Sequence, residues 1–275
     1  MNTDTHWDPD LYLRFADHRL RPALELLSRV PLATPNVVYD LGCGAGEMAR
    51  LMAERWPGAT VFGLDSSREM LAKAADTEGR VRWVEAETQS WMPPEPPDLL
   101  FSNAALHWVD RHEELFPRLL GFLRPGGWLA VQMPLSHALP SHRLMQETLA
   151  DLGLGSAALE RSLARSWILS AAAYYDLLAP RAARVEIWET EYLQILEGDD
   201  PVLEWVKGTG LRPVLSSLPD SEREIFLAEY SRRLRDAYPQ KPSGKTLYPF
   251  RRLFLVAVAP VAAGRNRAEP SSTKQ

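Results

Sequence analysis

The chain of 275 residues is 45% hydrophobic and 24% charged, a composition that excludes intrinsic disorder and indicates a globular protein with one large core. Its net charge of −5 argues against nucleic acid as a partner, because a phosphate-binding surface needs an excess of lysine and arginine. The single cysteine excludes an internal disulfide and favours a cytoplasmic location.

Short apolar runs alternate with helical patterns over the first half of the chain. The segment LYLRFADHRLRPALELL predicts a first helix over residues 11–27. Five strands are then predicted in alternation with helices, and their sequences are NVVYDL, ATVFGLD, RVRWVEAE, PDLLFSN and GWLAVQMP. Strands and helices that alternate at this rhythm are typical of a doubly wound parallel sheet.

The pattern changes after residue 133. Residues 135–182 and 201–238 are helical in pattern, whereas RVEIWETEYLQIL and RRLFLVAVA are typical of strands. We therefore predict an α/β fold with a seven-stranded, mostly parallel sheet in one domain over residues 1–262. Helical caps at about 135–182 and 199–248 are expected to cover the site, and residues 263–275 are expected to form a disordered tail. No apolar run is long enough to predict a membrane span.

Three glycines follow the first predicted strand in the motif DLGCGAG. Gly42, Gly44 and Gly46 would let the backbone approach a ligand closely. A nicotinamide dinucleotide needs the spacing G-x-G-x-x-G and brings a pyrophosphate, which a carboxylate at Asp40 would repel. S-adenosylmethionine instead carries ammonium and sulfonium groups, which a carboxylate at this position would attract. The loop therefore favours S-adenosylmethionine as the ligand.

Acidic residues follow the next two strands. Asp65 lies 19 residues after Gly46, where its carboxylate would either accept hydrogen bonds from both ribose hydroxyls or cap the next helix. Glu87 follows the third strand and would reach the adenine amino group. Because the carboxyl ends of parallel strands meet at one edge, we expect both residues to lie beside the glycine loop and residues 102–108.

The motif DLGCGAG resembles that of the class I S-adenosylmethionine-dependent methyltransferases. The blocks DPDLYLRF, FSNAALHWVDRHEELFPRLL, WVKGTGLRP and FRRLF are similar to those of the branch that esterifies trans-aconitate, and such blocks run from about residue 8 to residue 254. The resemblance implies methyl transfer to one carboxylate of this tricarboxylate, giving a monomethyl ester and S-adenosylhomocysteine. Two positions depart from the family pattern, since Glu87 replaces a common Asp and His107 replaces an expected Gln.

Such a reaction needs no general base, because a carboxylate is already ionised at pH 7. His107 and Trp108 are expected to position the acceptor. Arginines are expected to hold the non-reacting carboxylates, unless they form surface ion pairs instead. The predicted substrate-binding residues are Arg21, His142, Trp205, Thr209, Arg212 and Arg252. The predicted cofactor-binding residues are Tyr12, Arg19, Asp40, Gly42, Gly44, Gly46, Asp65, Ser66, Glu87 and Asn103.

Three alternatives stay open. The acceptor could be another small polycarboxylate or metabolite, the protein could be a nicotinamide-dependent oxidoreductase, or it could be a cofactor-binding module without activity. Asp40 and the glycine spacing argue against the second, and the segment WVKGTGLRP argues against the third. No metal site is predicted, because the pair His137 and His142 lies in a proline-interrupted segment.

Overall fold

The computed structural model describes residues 20–77, 79–208 and 210–261. Its strands are β1 (Val37–Leu41), β2 (Thr60–Asp65), β3 (Arg82–Glu85), β4 (Leu99–Asn103), β5 (Trp128–Pro134), β6 (Arg184–Leu196) and β7 (Thr246–Val258). They form one sheet in the order β3-β2-β1-β4-β5-β7-β6. Strands β1 to β5 pair in parallel, and β7 runs antiparallel to both β5 and β6. The predicted seven-stranded, mostly parallel α/β sheet is therefore confirmed.

Helices cover both faces of the sheet and its carboxyl edge. Helix α1 (Arg21–Ser28) precedes β1, and three helices lie among the first five strands: α2 (Glu47–Arg55), α3 (Arg68–Ala75) and α4 (His112–Phe122). Three lie between β5 and β6: α5 (Pro140–Leu152), α6 (Ala157–Ala164) and α7 (Ala171–Leu178). Three lie between β6 and β7: α8 (Pro201–Lys207), α9 (Arg212–Ser217) and α10 (Asp220–Ala237). Among these described helices, none combines the length and the apolar character needed to cross a membrane.

Only the second part of the predicted first helix falls within the described residues. Helix α1 begins at Arg21, and Pro22 occupies its first turn, where a missing backbone N–H removes no helical hydrogen bond. Residues 11–19 of the predicted helix lie outside the described part of the chain.

Two apolar clusters lie on opposite faces of the sheet. Tyr39 of β1 belongs to one of them together with Phe116 of α4. Its neighbour Val38 belongs to the other, together with Met52 of α2. This alternation covers both faces of the central strands, as a parallel sheet requires, and leaves the carboxyl ends of the strands for ligand contacts.

The β6–β7 hairpin extends beyond the rest of the sheet. The pairing of β5 with β7 ends at Pro134, which lies opposite Arg252. The pairing of β6 with β7 continues to Thr246, the first residue of β7. Strand β7 thus begins five residues before the predicted RRLFLVAVA run and inside the segment predicted as a helical cap. Pro249 lies in this extension, beyond β5, which agrees with the preference of proline for strand edges.

The extension of the hairpin supports a third apolar cluster. Tyr248 and Phe250 of β7 pack there with buried side chains of α5, α6, α8, α9 and α10. This third cluster lies apart from the two clusters on the sheet faces and consists mostly of residues from the helices after β5.

Candidate functional site

The loop after β1 has an unusual backbone. Gly42, Gly44 and Gly46 all have positive φ angles, of 72°, 54° and 82°. A Cβ atom on Gly42 would lie 2.2 Å from the Cβ of Ala105, and one on Gly46 would lie 2.2 Å from the ring of Trp83. A Cβ atom on Gly44 would meet nothing within 4 Å. Gly42 and Gly46 are therefore required by packing, whereas Gly44 faces open space that a ligand can use.

Asp65, the last residue of β2, holds this loop in place. One of its carboxylate oxygens accepts the backbone N–H of Gly44 at 2.8 Å, and the other accepts that of Ser67 at 2.8 Å. Each oxygen keeps a further lone pair, so the carboxylate can still accept hydrogen bonds from ribose hydroxyls.

The cap of α3 is Ser67, whose side chain accepts the backbone N–H of Met70. The sequence left Asp65 open for this role, and the structure gives it to Ser67. Ser66 is exposed beside Asp65, and its place in the cofactor site stays a prediction.

Asp40 lies beneath the glycine loop and is only 2% exposed. It accepts the backbone N–H of Ala49 in α2, yet burial and the negative charge of Asp65 raise its pKa to about 7. A buried carboxylate whose ionisation is opposed by a second carboxylate forms a favourable environment for a cation. The ammonium and sulfonium groups of S-adenosylmethionine fit that requirement.

The carboxyl ends of β3 and β4 complete this edge. Glu85 of β3 pairs with Asp65, and Glu87 follows it with an exposed side chain. Asn103 ends β4, and its side-chain oxygen is buried without a hydrogen-bond partner among the described residues. Such an orphaned acceptor requires a donor, and a cofactor ammonium group could supply one.

A cavity of about 450 Å³ lies between this edge and the helices of the third apolar cluster. Its volume is within the range of small-molecule sites. The sheet side is lined by Ala104, His107, Trp108 and Pro134. Polar residues elsewhere in the lining include His137, His142, Arg165 and Arg212 from the helical segments and Arg252 from β7.

Arg252 is a buried cation in the wall of this cavity. It is 6% exposed, and its Nη1 atom donates to Oε1 of Gln132 at 2.9 Å. Its Nε atom has no hydrogen-bond partner, and no carboxylate of the described residues forms an ion pair with it. Burial lowers the pKa of Arg252 to about 10, so the side chain stays charged at neutral pH. A buried charge without a counter-ion is costly, so an anion that reached this position would be stabilised.

His107 lies close to that cation and is neutral. Burial, reinforced by the positive charge of Arg252, lowers the pKa of His107 to about 3. Its Nδ1 atom is buried without a hydrogen-bond partner in the described structure. His107 can therefore form a neutral hydrogen bond with a ligand.

Trp108, which is expected to position the acceptor, lines the cavity but is largely exposed. Its side chain is 62% exposed, because the short 3₁₀ helix Leu106–Trp108 directs it toward solvent. It shares a surface groove with Lys207 and Arg212. The exposed Arg212 thus lies at the opening of the cavity, while Arg252 lies inside it.

The structure does not bring Arg21 to the cavity. Its Nε atom donates to Glu25 at 2.8 Å on an exposed face of α1. The guanidinium also lies 5.4 Å from the ring centre of Tyr192. Arg21 therefore forms a surface ion pair, which the sequence analysis gave as the alternative to substrate binding.

The other predicted substrate residues lie in different places. His142 lines the cavity, but its Nε2 atom is hydrogen-bonded to the carbonyl of Leu163 at 2.9 Å. Trp205 packs against Phe250 and Tyr248, with ring centres 6.1 Å apart in each pair. Thr209, Tyr12 and Arg19 lie outside the described residues.

The sequence did not lead us to predict a role for Gln132. It is fully buried in β5, between Asn103 of β4 and Phe254 of β7. A sequence signal was present, because Gln132 is the one polar residue in the run WLAVQMP.

Comparisons with known proteins agree on the class of protein. A family model described as a methyltransferase domain matches residues 38–127. The trans-aconitate 2-methyltransferase of Azoarcus sp. strain BH72 is 48% identical over 252 residues, which cover 92% of this chain and 98% of that protein. The trans-aconitate 2-methyltransferase of Streptomyces avermitilis is 48% identical over 260 residues, which cover 91% of this chain and 96% of that protein.

Solved structures show the same fold at low sequence identity. Haemonchus contortus phosphoethanolamine N-methyltransferase 2, in complex with phosphomonomethylethanolamine and S-adenosylhomocysteine, has a TM-score of 0.53 and 18% identity. That match covers 87% of this chain and 52% of the other. The YcgJ protein of Bacillus subtilis has a TM-score of 0.54 and 16% identity, with 86% and 97% covered.

Proposed function

The chain belongs to the trans-aconitate 2-methyltransferase family, and from that premise we propose that it methylates one carboxylate of trans-aconitate. The products are a monomethyl ester and S-adenosylhomocysteine. One observation of the structure carries this proposal: a buried arginine, Arg252, lines a cavity at the carboxyl edge of the sheet without a counter-ion among the described residues. A polyanionic acceptor supplies what this arginine lacks.

The cofactor is proposed to lie along the ends of β1 to β4. S-adenosylmethionine supplies an electrophilic methyl group when it is bound. Gly44 faces the space that the cofactor needs, and Asp65 accepts its ribose hydroxyls. Asp40 and the orphaned oxygen of Asn103 hold its cationic amino-acid end. Glu87 extends toward the adenine.

The acceptor is proposed to be held by its non-reacting carboxylates. Arg252 binds one of them inside the cavity, and Arg212 attracts another at the opening. The attacking carboxylate is ionised at pH 7 and has no proton to lose. The lowered pKa of His107, about 3, makes it a poor base, so it orients this group by a hydrogen bond without taking a proton.

Positioning of the reacting atoms and exclusion of water from the cavity then accelerate the methyl transfer. Reacting atoms held about 3–3.5 Å apart avoid several kcal/mol of the barrier. An anion that attacks a sulfonium loses charge in the transition state, so a dry site favours the reaction. The apolar side chains of Met145, Leu163, Val206 and Phe250 line the helical side of the cavity and exclude water from it.

We also propose that the protein works in the cytoplasm. Its single cysteine, Cys43, is free and lies within the glycine loop. Burial and the charges of Asp40 and Asp65 raise the pKa of this thiol, so it is not a nucleophile. A reducing compartment keeps the thiol of Cys43 reduced, so that the residue can pack within the loop.

Initial rates with methyl-labelled S-adenosylmethionine test the proposal. The acceptors are trans-aconitate, cis-aconitate, citrate and isocitrate, each at the same concentration. A base-labile methyl ester that forms preferentially on trans-aconitate supports the proposed acceptor. Cofactor binding without an ester on any of the acids refutes it, and tight binding of NADH would favour an oxidoreductase instead.

A further inference from the structure

The side-chain amide of Gln132 is placed where a counter-ion for Arg252 would be expected. Its Oε1 atom accepts a hydrogen bond from Nη1 of Arg252 at 2.9 Å, and both side chains are buried. An amide oxygen orients a guanidinium but leaves its charge in place. A glutamate in the same position would have the same shape and would neutralise that charge.

The surroundings of Gln132 fix this amide within the sheet. Asn103 and Phe254 are its neighbours on the two adjoining strands, and its backbone carbonyl accepts the N–H of Ala104 at 2.9 Å. Its Nε2 atom is buried without a hydrogen-bond partner among the described residues. Gln132 therefore contributes one bond to Arg252 and leaves two buried donors of the pair, Gln132 Nε2 and Arg252 Nε, unsatisfied.

Glu25 does not supply the missing charge. Its carboxylate accepts hydrogen bonds from Arg21 and from the hydroxyl of Tyr192. No ion pair joins Arg252 to it or to any other carboxylate that the structure describes. The arginine thus stands ready for an anion that enters through the cavity.

We propose that Gln132 keeps Arg252 without a counter-ion among the described residues, so that a non-reacting carboxylate of the acceptor completes the ion pair and the site selects polycarboxylates over monocarboxylates. This inference rests on the proposed function, because it concerns the same acceptor cavity. Gln132 acts as a positioning residue through Arg252. The desolvated arginine gains its partner only when an acceptor with a second carboxylate binds.

The substitution Gln132→Glu tests this role with a minimal change of shape. The new carboxylate pairs with Arg252 and competes with that of the acceptor, so the KM for trans-aconitate should rise on the order of 100-fold. The kcat and the dissociation constant of S-adenosylhomocysteine should change little. Gln240→Glu makes the same chemical change at an exposed position outside the cavity lining and should leave KM unchanged.

Inhibition of the unaltered enzyme provides a second measurement that needs no variant. Tricarballylate should compete with trans-aconitate much more strongly than crotonate, whose single carboxylate cannot occupy the reacting position and pair with Arg252 at the same time. Calorimetry in the presence of S-adenosylhomocysteine gives the same comparison without turnover. Equal binding of the two acids, or a Gln132→Glu enzyme with an unchanged KM, would overturn the inference.

The experiments distinguish a wrong acceptor from a wrong role for Gln132. Wild-type protein that binds S-adenosylhomocysteine but esterifies none of the polycarboxylates refutes the proposed acceptor. Wild-type protein that esterifies trans-aconitate and accepts monocarboxylates equally well refutes the role of Gln132 alone.

Discussion

The Oδ2 atom of Asp65 accepts the backbone N–H of Gly44 at 2.8 Å and so joins the end of β2 to the loop after β1. The carboxylate proposed to bind ribose is therefore also the group that shapes the glycine loop. Its two backbone hydrogen bonds fix its orientation before a ligand arrives. A site arranged in advance loses less conformational entropy when the ligand binds.

Asp65→Asn should weaken the binding of S-adenosylhomocysteine by at least roughly tenfold. An amide has one acceptor oxygen, so it cannot serve Gly44, Ser67 and two hydroxyl groups together. Isothermal titration calorimetry measures the change. Asp76→Asn, at the exposed end of α3, is the control and should keep wild-type affinity. Equal affinities for all three proteins would contradict the assignment.

Alanine substitutions should separate the two functions of the glycine loop. Both Gly44→Ala and Gly46→Ala strain a positive φ angle, at a cost of about 1–2 kcal/mol each. Only the methyl group at position 46 collides with Trp83. Urea unfolding should therefore show a clearly larger loss of stability for Gly46→Ala. Gly44→Ala should fold and bind S-adenosylhomocysteine weakly, and wild-type affinity in this variant would argue against a ligand beside Gly44.

Asp40 should make stability depend on pH. Its folded pKa, about 7, exceeds its ordinary value of 3.8, so its protonation stabilises the folded state fully below pH 3.8. This contribution is lost as the pH rises through about 7. Between pH 5.5 and pH 8 the loss amounts to about 2 kcal/mol in the cofactor-free protein.

The variant Asp40→Asn carries no such titration. Urea unfolding at the two pH values should show that wild-type protein loses about 2 kcal/mol relative to this variant as the pH rises. The Asp76→Asn protein should follow the wild type. A constant difference between wild type and Asp40→Asn would mean that Asp40 is ionised throughout this range.

His107→Gln should keep kcat within roughly fivefold of the wild type, whereas loss of a general base costs 10²–10⁴-fold. The reason is the lowered pKa of His107, about 3, which makes the ring neutral at every pH at which the enzyme is assayed. The pH profile of kcat should have the same shape in both proteins. His107→Phe, which keeps a ring but cannot form a hydrogen bond, should instead raise KM.

The fold could be predicted well because burial imposes a period on each strand. The run RVEIWETEYLQIL predicted β6 at its observed bounds. The motif DLGCGAG predicted a loop after β1, and the structure shows that its three glycines have positive φ angles. The start of β7 was less predictable, because Thr246–Phe250 is ordered by pairing with β6 and contains a proline. Local sequence does not encode that long-range register.

The site could be predicted only in part, because a sequence shows residue types and not their partners. Arg21 and Arg252 were equivalent as arginines, yet one pairs with Glu25 and the other has no carboxylate partner in the described structure. Gln132 depends on the register of three strands that are distant in the chain. Trp108 was expected to position the acceptor, but the sequence does not show that its side chain is 62% exposed.

The hairpin that extends beyond β5 divides the molecule into parts that can change separately. The methyltransferase family model matches residues 38–127, which hold the glycine loop and Asp65. The helices that line the cavity pack instead on Tyr248 and Phe250, in a cluster of their own. Substitutions among those helices can remodel the chamber for the acceptor while the cofactor cradle stays intact. This separation gives evolution, or an engineer, a route to new acceptors through the two helical segments on either side of β6.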